Sequence, residues 1–177
     1  ELKIGGASDE LLFSYQTTQV PNFYFLLEHG VDWLNNLNSA YAQYFEKIKY
    51  GLTCSYQPEN DSAITIRHQV TRGTPSSVGN GYSEFFLTSA EHPKAGFLIY
   101  SVVDNYWLNI VAMTSSYSQV KKSKFIPNGD GSYSADIAYD VAFVAMPQTI
   151  DSNTQLAPNL LNTGTFTANV ALSVEYL

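Results

Sequence analysis

The apolar positions of this chain recur mostly with period two. Residues 47–56 place Ile48, Tyr50, Leu52, Cys54 and Tyr56 on one face, and residues 63–71 do the same for Ile64, Ile66 and Val70, with His68 in the same row. Residues 82–89 carry Phe85, Phe86 and Leu87, and residues 96–103 and 106–113 are both strand-like. Asp104-Asn105 between the last two reads as a two-residue hairpin turn, since both residues tolerate positive φ. Residues 134–146 align Ile137, Tyr139, Val141, Phe143 and Ala145, and residues 165–177 align Phe166, Ala168, Val170, Leu172, Val174 and Tyr176. This alternation predicts half-buried strands. Turn-rich breaks separate them at residues 57–61, 72–81 and 127–131, and residues 147–163 form a long polar connection. One stretch departs from the pattern. Leu26, Leu27, Trp33, Leu34, Leu37, Tyr41, Tyr44, Phe45 and Ile48 recur at helical spacing and predict a short helix over residues 31–45 with Gly30 before it, although Asn35, Asn36 and Asn38 are poor helix formers.

With no internal repeat and no linker composition, residues 1–177 read as a single domain, within the prior of about 100–200 residues per domain. Strand count and turn spacing predict an all-β, antiparallel β-sandwich with apolar-in, polar-out faces.

Composition narrows the class. Nine Lys and Arg against 16 Asp and Glu give a net charge of −7, which argues against electrostatic binding of nucleic acid. Charged residues are 14% of the chain against about 25% in an average globular one, and 45% hydrophobic residues argue against disorder. No run of about 18 apolar residues predicts a membrane-spanning helix. No leader opens the chain at Glu1, so it reads as cytosolic or already processed. The lone Cys54 excludes an internal disulfide and any zinc framework; inside a strand pattern it reads as a buried inert thiol ahead of a reactive one.

No motif supports catalysis or a cofactor. His29, His68 and His92 lack metal-ligand spacing and read as surface or cap residues. No serine lies in GxSxG, and Gly79-Asn80-Gly81 and Gly129-Asp130-Gly131 are too short for a phosphate loop. Asn128-Gly129-Asp130-Gly131 lacks the spaced acids of a calcium loop and reads as a turn. Asn60-Asp61-Ser62 is a formal glycosylation triplet. Asp136 and Asp140 fall on one face of one strand, whereas the paired carboxylates of a glycosidase usually come from different strands.

The last predicted strand is the most informative. Its apolar row is unbroken, Tyr176 is next to last, and Gly164 is fourteenth from the end. A glycine there, alternating hydrophobics and a penultimate tyrosine resemble the terminal signature of pilus subunits of the chaperone–usher pathway. Ala95-Gly96-Phe97-Leu98-Ile99 followed by Asp104-Asn105 resembles a mid-domain strand of the same family, so the likeness covers roughly residues 80–177. It departs from the family pattern in the first half, where Cys54 has no partner for a disulfide and residues 23–48 match no standard element.

This resemblance implies an immunoglobulin-like (pilin-type) sandwich that lacks its seventh strand, on the bacterial surface, reached through the periplasm. Its implied partners are a periplasmic chaperone, an outer-membrane usher and neighbouring subunits, with no nucleic acid and no embedding in a membrane. The missing strand would be lent by the chaperone and then replaced by the next subunit's N-terminal segment. Gly164, Phe166, Ala168, Val170, Leu172, Val174 and Tyr176 would line the groove, and the Leu177 carboxylate would be held by a basic pair of the chaperone. Leu2, Ile4 and Gly6 alternate as a donor segment would, or are simply first-strand residues. A tip adhesin is the alternative: Tyr24, Trp33, Tyr106, Trp107 and Tyr117 either stack on host glycans from loops or pack in the core.

Overall fold

The structure, a computed structural model, describes residues 2–3, 8–15, 20–35, 44–72, 74–75, 87–89, 92–103, 105–110, 117–146, 153–157 and 164–176. These are mostly β-strand, in antiparallel sheets, with little helix. In chain order the strands are β1 (Leu2–Lys3), β2 (Ser8–Tyr15), β3 (Val20–Pro21), β4 (Phe45–Cys54), β5 (Ile64–Arg72), β6 (Thr74–Pro75), β7 (Leu87–Ser89) and β8 (His92–Ser101). There follow β9 (Tyr106–Trp107), β10 (Tyr117–Gln119), β11 (Ile126–Pro127), β12 (Tyr133–Ala145), β13 (Leu156–Ala157) and β14 (Gly164–Tyr176), with helix α1 over Phe23–Asn35.

One sheet has the order β1-β2-β14-β5-β10. The second has the order β11-β12-β8-β7-β6, with β4 also paired to β12 and β9 to β8; β13 and β3 form a separate pair. A single buried cluster takes Ile64 and Ile66 from the first sheet and Leu87, Phe97, Ile99, Ile137, Val141 and Phe143 from the second. The odd-numbered residues of β12 thus face the other sheet. Its even-numbered Ala142 and Val144 lie on the opposite face, where they are buried with Leu98 under Phe23, Tyr24 and Leu26 of α1.

The helix differs from the sequence expectation. It begins at Phe23, and Gly30 lies inside it at a kink with φ of 63° and ψ of −152°. No atom crowds the place a Cβ would occupy at Gly30, so the positive φ, not space, is what calls for glycine. Asn22 sets the start: its Oδ1 accepts the Tyr24 N–H at 3.0 Å and its carbonyl accepts the Leu26 N–H at 3.0 Å. Phe45 is not helical but opens β4, whose ten-residue register with β12 pairs Phe45 with Ala142. The Asn22 cap and the burial of Phe23, Tyr24 and Leu26 against the sheet fix where the helix starts, which local spacing does not see; residues 36–43 of the expected helix lie outside the described residues.

Of the strand expected over residues 106–113, only Tyr106 and Trp107 are strand; Leu108, Asn109 and Ile110 are not, and residues 111–113 lie outside the described residues. Tyr56, expected in the row with Cys54, lies beyond β4 and is 78% exposed. The turn before β9 is longer than two residues, because β8 stops at Ser101; Asn105 takes the expected positive φ of 58° and donates its N–H to the Ser101 carbonyl at 2.9 Å. Residues 8–15, which carry no clean alternation, form β2 and pair with the first part of β14.

Candidate functional site

Two regions collect the residues singled out in the sequence. The first is β14. It starts at Gly164 and runs antiparallel to two strands in succession. Residues 164–171 pair with β2, Gly164 opposite Tyr15 and Ala171 opposite Ser8. Residues 169–176 pair with β5, Asn169 opposite Arg72 and Tyr176 opposite Ile64, with a bulge between Asn169 and Val170. Among the described residues, only 169–171 therefore have neighbours on both sides. Among the described residues no strand continues beyond Ser8 beside residues 172–176. Phe166, Ala168, Val170, Leu172, Val174 and Tyr176 lie on this strand, while their side chains and Leu177 lie outside the described set. Leu2 belongs to β1 and faces Phe13 of β2, on the side of β2 away from β14; Ile4 and Gly6 lie outside the described residues.

The second region is the outer face of the second sheet, beside the helix. Register lines up Lys47, Asp140 and Tyr100 across β4, β12 and β8, and then Trp107 of β9. The next row on that face pairs Lys49 with Ala138, whose carbonyl accepts the Val102 N–H at 3.0 Å. Asp140 is buried, and its Oδ1 lies 3.3 Å from Lys47 Nζ. Asp136, on the same face, is exposed, with Oδ2 3.7 Å from Lys49 Nζ. Each of the two aspartates noted in the sequence is thus answered by a lysine of β4, an opposite-charge pattern across neighbouring strands. A cavity of about 550 Å³ opens here, with Ala138 among its lining residues.

Of the five candidate contact aromatics, Tyr24 is 5% exposed and edge-on to Phe23 at 5.3 Å, so it is a core residue and not a loop side chain. Trp107 is half-buried, packs on the cluster beneath the helix and meets Tyr100 edge-on at 5.2 Å. Tyr106 is exposed. The side chains of Trp33 and Tyr117 lie outside the described set. Tyr100, Lys47, Lys49 and Ala138 were not singled out in the sequence; only strand register brings them together.

The remaining chemistry is structural. His68 is buried between the sheets, not on the surface as expected, and its Nε2 lies 2.5 Å from the Tyr139 hydroxyl. His29 is exposed and stacked on Phe25 with ring centroids 4.0 Å apart. Burial pushes the Cys54 thiol above its ordinary pKa, which keeps it protonated and a poor nucleophile. Asn60 Oδ1 accepts hydrogen bonds from the N–H and hydroxyl of Ser62 and closes a local turn. Among the described residues no group of three or more His, Cys, Asp or Glu is placed to hold a metal ion, and no helix is long and apolar enough to cross a membrane. Compared with known proteins, the chain matches no family model, no curated protein and no solved structure.

Proposed function

We propose that this chain is a subunit of a bacterial surface fibre, assembled by strand addition of the chaperone–usher kind onto an immunoglobulin-like sandwich. The observation that carries the reading is the change of partner along β14. The stretch 172–176 is hydrogen-bonded to β5 on one side and has no described strand on the other. A long strand with an open edge invites pairing with another chain. Main-chain hydrogen bonds would supply the affinity, and the alternating apolar row from Phe166 to Tyr176 would supply the selectivity. On this reading β2 occupies the first half of the groove within the chain, and a chaperone or neighbouring subunit fills the rest.

The test is thermal melting with and without an extended peptide of alternating apolar residues, and co-purification with a periplasmic pilus chaperone. The expected result is a rise in Tm with the peptide and a stable complex with the chaperone. A chain that melts at the same temperature in both cases and binds no chaperone overturns the reading.

A second reading is a receptor-binding subunit of such a fibre. The Tyr100–Trp107 pair favours it, because it sets aromatic surface beside a buried carboxylate, next to the part of that face that the helix covers.

A further inference from the structure

We propose that the depression over Ala138 binds a neutral, hydroxyl-rich ring, one unit of an uncharged saccharide. The proposal rests on the receptor-binding reading and names its site and ligand class.

The depression follows from strand register. Ala138 of β12 stands between Lys49 of β4 and Val102, both exposed, and its methyl group is much shorter than either side chain. Two residues on, Asp140 lies on the same face, flanked by Lys47 and Tyr100. Helix α1 buries Ala142 and Val144 further along that face but leaves Ala138 half-buried. The resulting cavity of about 550 Å³ has the size of a small-ligand site and is lined by Lys47, Lys49, Tyr100, Asn105, Ala138 and Asp140 among others.

Both lysines of this lining already have a carboxylate. Lys47 Nζ is 3.3 Å from Asp140 and Lys49 Nζ is 3.7 Å from Asp136, so neither ammonium is free to anchor an anion. A cation would have to compete with Lys47 for Asp140. What the site leaves open is hydrogen bonding. The Asp140 side chain is only 9% exposed, yet among the described residues it accepts one hydrogen bond, from Lys47 to Oδ1. An ionised carboxylate has acceptor sites on both oxygens, and buried polar atoms are as a rule hydrogen-bonded, so Oδ2 is an acceptor for a ligand hydroxyl. Asn105, exposed at the rim in positive φ, adds an amide that both donates and accepts. Tyr100, edge-on to Trp107 at 5.2 Å, supplies aromatic surface for the apolar C–H face of a sugar ring. A hydroxylated ring without net charge uses all three features. An acidic ring would bring its charge towards Asp140 and find no unpaired lysine in return.

Titration of the folded chain with glucose, galactose, mannose and N-acetylglucosamine, beside glucuronic acid and protonated glucosamine as charged counterparts, tests this by calorimetry and by the resonances of Tyr100 and Asn105. At least one neutral sugar is expected to bind, to shift both resonances, and to keep its affinity from low to high salt, since it forms no ion pair. Asp140→Asn keeps the shape but gives up the charged acceptor, and should weaken that sugar about tenfold or more. Ala138→Ile fills the floor with a residue suited to a strand and should abolish binding. If the shifts fall elsewhere, or either variant binds as the parent does, the site is wrong. If a charged sugar binds more tightly than every neutral one, the ligand class is wrong. The receptor-binding reading stands in both cases, and adhesion to glycoprotein-coated beads tests it separately. Adhesion with no binding of free sugar refutes the depression alone; absence of both refutes both.

Discussion

β12 and β14 have the same length, both run through the middle of a sheet, and both exchange one partner for another along their course. On β12 the exchange leaves little uncovered. β4 pairs with residues 133–142 and β8 with residues 139–145, so residues 139–142 have neighbours on both sides. Beyond the end of β8, β11 pairs with Tyr133 and Ser134; where β4 has ended, Asn22 makes a parallel bridge to Ala145. On β14, among the described residues, only 169–171 are flanked twice, and no described strand takes over where β2 ends. The contrast shows that an offset between neighbours does not itself create a vacancy. What matters is whether a short local segment is available to fill it. β12 has two such segments, both held by nearby turns or caps, and β14 has none among the described residues.

Amide hydrogen exchange measures this contrast most directly. Amides of residues 139–142 should open only with global unfolding, whereas those of residues 172–176 that point away from β5 should exchange orders of magnitude faster. Equal protection would mean that the second edge of β14 is covered in solution, and the comparison would collapse. Next in size, Phe143→Ala removes a fully buried ring that meets Phe97 at 5.4 Å, and should cost about 3–5 kcal/mol in denaturant unfolding. A loss well under this range would show that the core behind β12 is loosely packed.

Asn22→Ala takes away the side-chain acceptor of the Tyr24 N–H and should cost about 1 kcal/mol, measured the same way. An unchanged midpoint would show that the covering of the far end of β12 does not depend on this cap. The smallest effect concerns the turn between β11 and β12. The hydroxyl of Ser132 at 2.5 Å and its N–H at 2.9 Å hold the Asp130 carboxyl below the ordinary aspartate range. Its folded value lies below its unfolded one, so the contribution is complete above the ordinary range and fades as pH falls through the lowered value. Acid titration by NMR should show resonances of β11 moving with Asp130, and β11 remaining unchanged through that range would sever the turn from the strand.

Strand positions were largely legible because period-two alternation records burial on one face. Residues 134–146 and 165–177 each came within a residue of the observed β12 and β14. β2 was not legible: Ser-Asp-Glu-Leu-Leu-Phe-Ser-Tyr has adjacent apolar residues and no alternation, and its pairing with β14 and β1 is what makes it a strand. The helix was displaced for a related reason, since the Asn22 cap and the apolar face of β12 fix it from outside its own spacing. In the candidate site, Asp140 and Trp107 were visible as residue types with known chemistry. Lys47, Lys49 and Ala138 were not, because a lysine on a strand is ordinary and an alanine matters only once its neighbours across the sheet are known.

Asn22 joins segments far apart in the chain. Its N–H is donated to the Gln155 carbonyl at 2.9 Å, its side chain and carbonyl hold the first turn of the helix, and its backbone bridges Ala145. A cut or insertion between residues 145 and 155 would therefore not remain a local injury: it would pull on the splice that seats the helix, and so loosen the cover over Leu98, Ala142 and Val144 from a position remote in sequence.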